Sequence, residues 1–321
     1  MATPSATFTQ MVSTTLRNSA TDVTDNVTLN NALMRNLKRK GKFMSLSGGY
    51  EIQIPIEYAE NATYTRYGGY DTLNINASDV VTSAKYDWKQ IALHVVSSGK
   101  ELRMNSGKEA MINLVKTKKA NVLKTAANQF SIDLYSDGSL TNQIGGLANI
   151  IQTNGQGTVG GIDSATWTFW RNQFYEIPGT NAWTAANFTG FMNTAWYPLV
   201  RGADAPDLIV MSQDFYSAYE ASQQQYMRYS SAESANAGFQ TLKYKSADVI
   251  FDDNTNFATT AEKAYFLNTD YLYVAQHKEA QWTQDDEKAP INQDAVVIPY
   301  YWMGNLVCTN RHLQGVMIDA A

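Results

Sequence analysis

Between Asn105 and Asp137 the apolar positions Met111, Val115, Val122, Ala126, Phe130 and Leu134 recur at spacings of four or seven residues, which puts them on one stripe of a helix. The run holds no proline and, after Gly107, no glycine. Ser106 is placed to cap its start, with Glu109 at the capping-box position, and Asp137-Gly138 is placed to end it. A helix of about thirty residues spans roughly 45 Å at 1.5 Å per residue. Lys119 falls within the stripe and Lys116 beside it. The two ends are therefore expected to bury against different neighbours, with a basic, less buried middle. Such an element is either a long core helix of a large domain or a strut through a flat, extended subunit.

The other patterns are shorter. Leu29, Ala32, Leu33 and Leu37 predict a helix stopped at Gly41, with Arg35, Lys38, Arg39, Lys40 and Lys42 towards its end. Cations there suit the helix dipole, or they form a basic patch that touches phosphates without sequence preference. From Tyr50 to Tyr58 apolar and polar residues alternate, predicting a half-buried strand that Pro55 confines to an edge or a bulge. The return strand is expected over 85–96. Tyr86 and Trp88 share one face, whereas Ile91, Leu93 and Val95 have the opposite parity, and a bulge at Lys89–Gln90 would reconcile them. Between these strands lies a polar segment with Tyr64, Arg66, Tyr67 and Tyr70 around a Gly68-Gly69 pair. A lone two-stranded ribbon is marginal in water, so this segment is expected to lie on a neighbouring subunit.

Residues 1–30, rich in Thr, Ser and Asn, predict an extended arm. Further along, Asn187–Val200 predicts an amphipathic helix ended around Pro198, and Asp207–Met211 a short strand. Ser212 then caps a helix with Phe215, Tyr219, Tyr226 and Met227 inward. Strands follow at Val249–Phe251, Ala264–Leu267 and Tyr271–Ala275, which makes 187–275 an α+β unit. A polar stretch over 277–294 leads to strands at Ala295–Val307 and Leu313–Ile318, expected to pack on the long helix.

Composition narrows the function classes. The chain has 321 residues, 44% hydrophobic, which suits one irregular domain or two coupled ones. A net charge of −5 is too mild for a dedicated nucleic-acid binder. The single cysteine, Cys308, excludes an intrachain disulfide and reads as a buried small residue. His94, His277 and His312 have no spaced partners for a metal or a catalytic triad. Gly155, Gly157 and Gly160 fit a bare G-x-G-x-x-G pattern, but no βαβ unit follows, so a loop is expected and not a dinucleotide site. Asp252-Asp253 and Asp285-Asp286-Glu287 read as solvated turns. No enzyme signature is found, and no cofactor or metal is expected. Neither a signal peptide nor a membrane span is expected. Aromatic residues reach 12%, with 19 tyrosines, which suits a protein with much contact surface.

The order of parts resembles the major capsid proteins of tailed bacteriophages, with their Hong Kong 97-like fold. Asp137-Gly138 followed by Ile144 to Asn149, and the stretch Pro299 to Arg311, are similar to that family's loop after the spine helix and to its closing strands. The resemblance implies an α+β subunit with an N-terminal arm (1–47) and an extended two-stranded loop (48–103). Residues 104–186 would hold the spine helix and the first part of the peripheral domain, 187–275 the axial domain, and 276–321 the returning peripheral strands. It also implies a structural protein, not an enzyme, that assembles as hexamers and pentamers into an icosahedral shell around double-stranded DNA. Expected partners are a separate scaffolding protein, a portal and a decoration protein. Its place is the virion, and the host cytoplasm during assembly. Candidates for facing the DNA are Arg35, Lys38, Arg39, Lys40, Lys42, Lys116, Lys118 and Lys119. Candidates for contacts between subunits are Tyr50, Ile54, Tyr64, Arg66, Tyr67, Tyr70 and Trp88. An encapsulin-like protein compartment shares the fold and is the alternative. A hydrolase or glycan-binding protein is a third reading that no constellation of residues favours.

Overall fold

Two sheets with different neighbours divide the chain. The computed structural model describes residues 31–104, 114–227, 242–252, 257 and 262–319. Helix α1 (Ala32–Arg39) buries Leu33 and Leu37 and gives way at Gly41, whose φ of +67° suits glycine. Strand β1 (Phe43–Leu46) follows, then β2 (Ile52–Glu57) and β3 (Val81–Tyr86), an antiparallel pair with Pro55 opposite Ser83. Next come β4 (Lys89–Ser98), α2 (Gly99–Met104), α3 (Leu114–Asp133) and α4 (Leu147–Ile150). A small hairpin of β5 (Thr158–Val159) and β6 (Ile162–Asp163) precedes β7 (Gln173–Ile177). Then α5 (Phe188–Trp196) runs into a 3-10 turn at Tyr197–Leu199, followed by β8 (Leu208–Met211) and α6 (Gln213–Met227). The last strands are β9 (Leu242–Tyr244), β10 (Ala247–Phe251), β11 (Lys263–Leu267), β12 (Leu272–Gln284), β13 (Ala295–Cys308) and β14 (Gly315–Asp319).

Strands β1, β12, β13 and β4 lie side by side in a four-stranded sheet. A six-stranded sheet runs in the order β7, β14, β11, β8, β10, β9. Strand β8 is buried along its whole length, as a strand covered on both faces must be. Its period of two splits the packing. Leu208 and Val210 join the large core that holds Phe130, Leu134 and Trp302, while Ile209 and Met211 join a second core with Phe188, Trp196 and Phe215 from α5 and α6.

The long helix is anchored at two places. Val122 packs on Val95, Ile298 and Tyr300, whereas Phe130 and Leu134 enter the large core. Residues 105–113, with Ser106, Glu109 and Met111, lie outside the described residues. The helix ends at Asp133, four residues before the expected stop. Its C-terminal carbonyls meet the incoming loop: the Leu147 amide donates to the Leu134 carbonyl at 2.7 Å. That approach requires Gly146, because a Cβ there would lie 2.5 Å from the Asp133 carbonyl oxygen.

Three further expectations are corrected. The change of parity after Tyr86 is not a bulge. The chain leaves the β2–β3 pair at Asp87 and enters a different sheet as β4, paired with β13 from Gly304 to Ala295. The strand expected over Tyr271–Ala275 does not stop there, since β12 continues into the polar stretch as far as Gln284, through register shifts at Gln276 and Gln281, held by antiparallel pairing with β13. The strand near Leu313–Ile318 sits between β7 and β11, and its Val316 joins the large core that holds Phe130 and Leu134. Ser212 does not cap α6 through its side chain, because its hydroxyl is buried without a hydrogen-bond partner.

Candidate assembly surfaces

From Tyr58 to Val80 the chain runs out beyond the β2–β3 pair as an open arm. The Tyr58 amide still donates to the Val80 carbonyl at 3.0 Å, and the Ala62 amide to the Ser78 hydroxyl at 3.2 Å. At the tip the Gly68 amide donates to the Asp71 carboxylate at 2.6 Å. Few of the arm's side chains are covered: Tyr64 is 81% exposed, Tyr67 68%, and Tyr70 and Ile75 almost wholly so. Arg66 is exposed beside them, and Tyr50 is exposed just ahead of β2. These five predicted contact residues, Tyr50, Tyr64, Arg66, Tyr67 and Tyr70, are thus open to a neighbour. The other two are held by their own chain. Ile54 packs against the large core. Trp88 donates through Nε1 to the Gly49 carbonyl at 2.9 Å and meets the His277 ring edge-on at 5.7 Å.

The root of the arm borders a groove of about 460 Å³. Tyr58 stands edge-on to Trp167 at 5.7 Å and beside Phe169 at 5.8 Å. Desolvation and the nearby Asp79 carboxylate hold the Tyr58 phenol above its ordinary pKa. The sequence pattern does not single out Trp167 and Phe169, although two aromatics beside Trp170 are a local signal.

The predicted basic residues divide in the same way. Lys40 pairs with Asp207 at 2.6 Å, Lys42 with Asp270 at 2.7 Å and Arg39 with Asp248 at 3.5 Å. Lys118 pairs at 2.8 Å with Glu101, a buried carboxylate, and Lys119 reaches the Gln284 side chain at 3.4 Å. Arg35 and Lys38 project exposed from α1. The Lys116 side chain lies outside the described residues.

Asp252 and Arg311 are buried most completely among the charged side chains described, and the sequence predicts neither. Asp252, expected in a solvated turn, is 1% exposed. It accepts the Tyr135 hydroxyl at 2.8 Å and lies 3.5 Å from the Leu33 amide at the start of α1. That helix has no acid in its first turn and no side-chain cap, so Asp252 supplies the negative charge that its N-terminus favours. Asp253 lies outside the described residues, and Asp286 and Glu287 are exposed as expected. Arg311 is fully buried. It donates to the carbonyls of Ile150, Gln156, Gly157 and Trp170 and to the Ser164 hydroxyl, at 2.5–3.3 Å. It thereby pins the glycine loop, where Gly155, Gly157 and Gly160 all have positive φ.

His94 is exposed on β4, and the His312 ring meets the Gln173 amide at 3.1 Å. Cys308 is buried, and that burial pushes its thiol up to about 12. Among the described residues no group of three or more His, Cys, Asp or Glu side chains is placed to hold a metal ion. No helix among them is long and apolar enough to cross a membrane.

No protein-family model matches the chain, and no curated protein matches its sequence. Solved structures do match its shape. The capsid asymmetric unit of cyanophage A-1(L) is 15% identical, with a TM-score of 0.65, over 93% of this chain and 95% of that one. The capsid of Myoviridae phage XM1 is 9% identical, with a TM-score of 0.63, over 99% of this chain and all of that one. The SrpI encapsulin of Synechococcus elongatus is 10% identical, with a TM-score of 0.59, over 96% of this chain and 94% of that one. The chain therefore has the α+β, Hong Kong 97-like fold that its order of parts resembles.

Proposed function

We propose that this chain is a major capsid protein, building the icosahedral head shell of a tailed bacteriophage around double-stranded DNA. The observation that carries this reading is the end-to-end likeness to capsid subunits, over 93% and 99% of the chain for the two phage capsids. The exposed aromatic arm supports it. The arm has no core of its own, so its tyrosines are best used on a neighbouring copy, and repeated heterologous contacts of that kind close into rings and shells. On this reading the subunit assembles as hexamers and pentamers, in the host cytoplasm and then in the virion, with a scaffolding protein, a portal and a decoration protein as partners.

The six-stranded sheet with α5 and α6 corresponds to the axial domain, taking in β7 and β14 besides 187–275. The four-stranded sheet with α3 corresponds to the peripheral domain. For nonspecific contact with packaged DNA we put Arg35 and Lys38 first, because Arg39, Lys40, Lys42 and Lys118 already have carboxylate partners within the subunit.

The test is negative-stain microscopy of the purified protein beside size-exclusion chromatography. Closed shells, or hexamers and pentamers, are expected. A homogeneous monomer that never assembles, even with a co-expressed scaffold, would overturn the reading. The likeness to the SrpI encapsulin keeps a cargo-enclosing compartment as the second reading. Genes for a terminase and a portal beside this one support the capsid, and a gene for a cargo enzyme the compartment.

A further inference from the structure

The groove at the root of the arm has an aromatic side and a polar one. Trp167 and Phe169 stand 6.4 Å apart and edge-on, and Tyr58 meets both, the three rings set at 39° to 78° to one another. Rings at such angles present faces and edges in several directions, which suits an incoming ring or guanidinium. Trp167 is 48% exposed, and Val81, at the start of β3, 54%. Asp79 is the one carboxylate among the lining residues and stands beside Tyr58. Lys85 is the one cation there, and it also borders an adjoining cleft with Glu51 and Asp87.

The tip of the arm carries a matching set of groups. Arg66 is the only basic residue from Tyr58 to Val80, and it stands exposed between Tyr64 and Tyr67. The two legs of the arm meet as far out as Ala62, whose carbonyl accepts the Asn74 side-chain amide at 3.4 Å. Beyond that point Tyr64 and Tyr67 are exposed, so the tip leaves its own groove open.

We propose that the groove receives the arm tip of a second copy, with Arg66 against Asp79 and Tyr64 against Trp167 and Phe169. This rests on the reading that copies of the chain assemble, and it adds which surfaces meet. Tyr64 and Arg66 are two positions apart, so they share one side wherever the chain runs extended. The guanidinium pairs with the carboxylate, and the tyrosine ring covers the exposed indole while its hydroxyl accepts from Lys85. Such a contact is heterologous: each copy gives its tip to one neighbour and takes another tip at its own root.

Two measurements test it. Charge reversal at either exposed partner, Arg66→Asp or Asp79→Arg, should leave the melting temperature of the subunit unchanged and cut the yield of assembled particles about tenfold or more. The double variant should restore the yield to within about threefold of the parent. Single variants that assemble as well as the parent, or a double variant as poor as the singles, would overturn the proposal and leave the capsid reading standing. The second measurement needs no shell. Full chains carrying Arg66→Cys are mixed with full chains carrying Asp79→Cys, as free subunits at high concentration, and treated with a short bis-maleimide. The native Cys308 is buried and stays out of the reaction. A covalent heterodimer is expected at about tenfold the yield obtained when Ile291→Cys, at a wholly exposed position outside the groove, replaces Asp79→Cys. Equal yields would mean random collision and overturn the proposal. If the parent builds no shell the capsid reading falls, and the cross-link alone then decides whether tip and root meet, as it does if the reversed chains fail to fold.

Discussion

The ring of Phe130, on the long helix, meets the indole of Trp302, on the central strand β13, edge-on with centroids 4.9 Å apart. Trp282 closes the cluster, 6.0 Å from Phe130 and stacked at 6.2 Å on Trp302. Phe130 and Trp302 are almost wholly buried, so their contact fixes α3 onto the four-stranded sheet. Phe130→Ala should destabilise the subunit by about 3–5 kcal/mol, and Phe130→Leu by much less. Chemical denaturation of the free subunit measures both. A loss below about 1 kcal/mol for the alanine variant would mean that other contacts hold the helix.

Arg311 gives a second prediction. Burial pushes its guanidinium down to about 10, and the five contacts that compensate are carbonyls and a hydroxyl, with no carboxylate among them. Arg311→Met keeps much of the volume but strands those acceptors, at a cost of about 3–5 kcal/mol. Because the acceptors lie between Ile150 and Trp170, limited proteolysis should cut that loop before the subunit unfolds as a whole. Cleavage that starts elsewhere would show that Arg311 does not pin it.

What was legible in the sequence was local periodicity. The stripe of Ala126, Phe130 and Leu134 and the inward Ile52 and Ile56 are buried as their spacing predicts. What escaped was decided by partners distant in sequence. The parity reversal after Tyr86 was visible, but a bulge and a change of sheet leave the same trace. Only the pairing with β13, some two hundred residues on, selects the second. Asp252 looked solvated because its partners Tyr135 and Leu33 come from other elements. Arg311 stands in a short polar turn, and nothing near it announces that distant carbonyls will surround it. Among the candidate contact residues, exposure of the arm's tyrosines followed from their polar context, whereas the internal engagement of Ile54 and Trp88 did not.

Asp207 should set part of the acid limb of stability. Burial works against its charge, but hydrogen bonds from Lys40 at 2.6 Å and from the Thr269 amide and hydroxyl at 2.8 and 2.6 Å hold its pKa below the ordinary value. A carboxyl depressed in the folded state contributes fully above its unfolded pKa, near about 4, and loses that contribution as the pH falls through the lower folded value. Asp207→Asn should therefore be less stable than the parent at pH 7, with the difference shrinking at pH values below about 4. Denaturation midpoints measured at several pH values test this. Parallel profiles would remove Asp207 from the acid limb.

The division of the basic residues predicts different effects on DNA binding. Non-specific DNA retention by the Arg35→Gln, Lys38→Gln protein should show a log–log salt slope shallower by up to about 2, roughly 0.9 for each phosphate that is no longer neutralised. Lys40→Gln should leave that slope unchanged and lower the melting temperature, because Lys40 is engaged with Asp207. Equal slopes for all three proteins would mean that this end of α1 does not face DNA.

The arm allows folding and assembly to be separated. Tyr64, Tyr67 and Tyr70 are exposed in the subunit, so replacing all three by serine should change its stability by no more than about 0.5 kcal/mol at each position. In a shell the same rings would be covered by a neighbour, and aromatic anchors at interfaces commonly contribute about 2 kcal/mol or more each. The serine variant is therefore expected to elute as a folded subunit with a parent-like melting temperature and to give few or no closed shells in micrographs. If it assembles as well as the parent, the tyrosines are not contacts, and the subunit must close its shell through other surfaces. If it fails to fold, the arm packs on its own subunit, contrary to the exposure of these side chains.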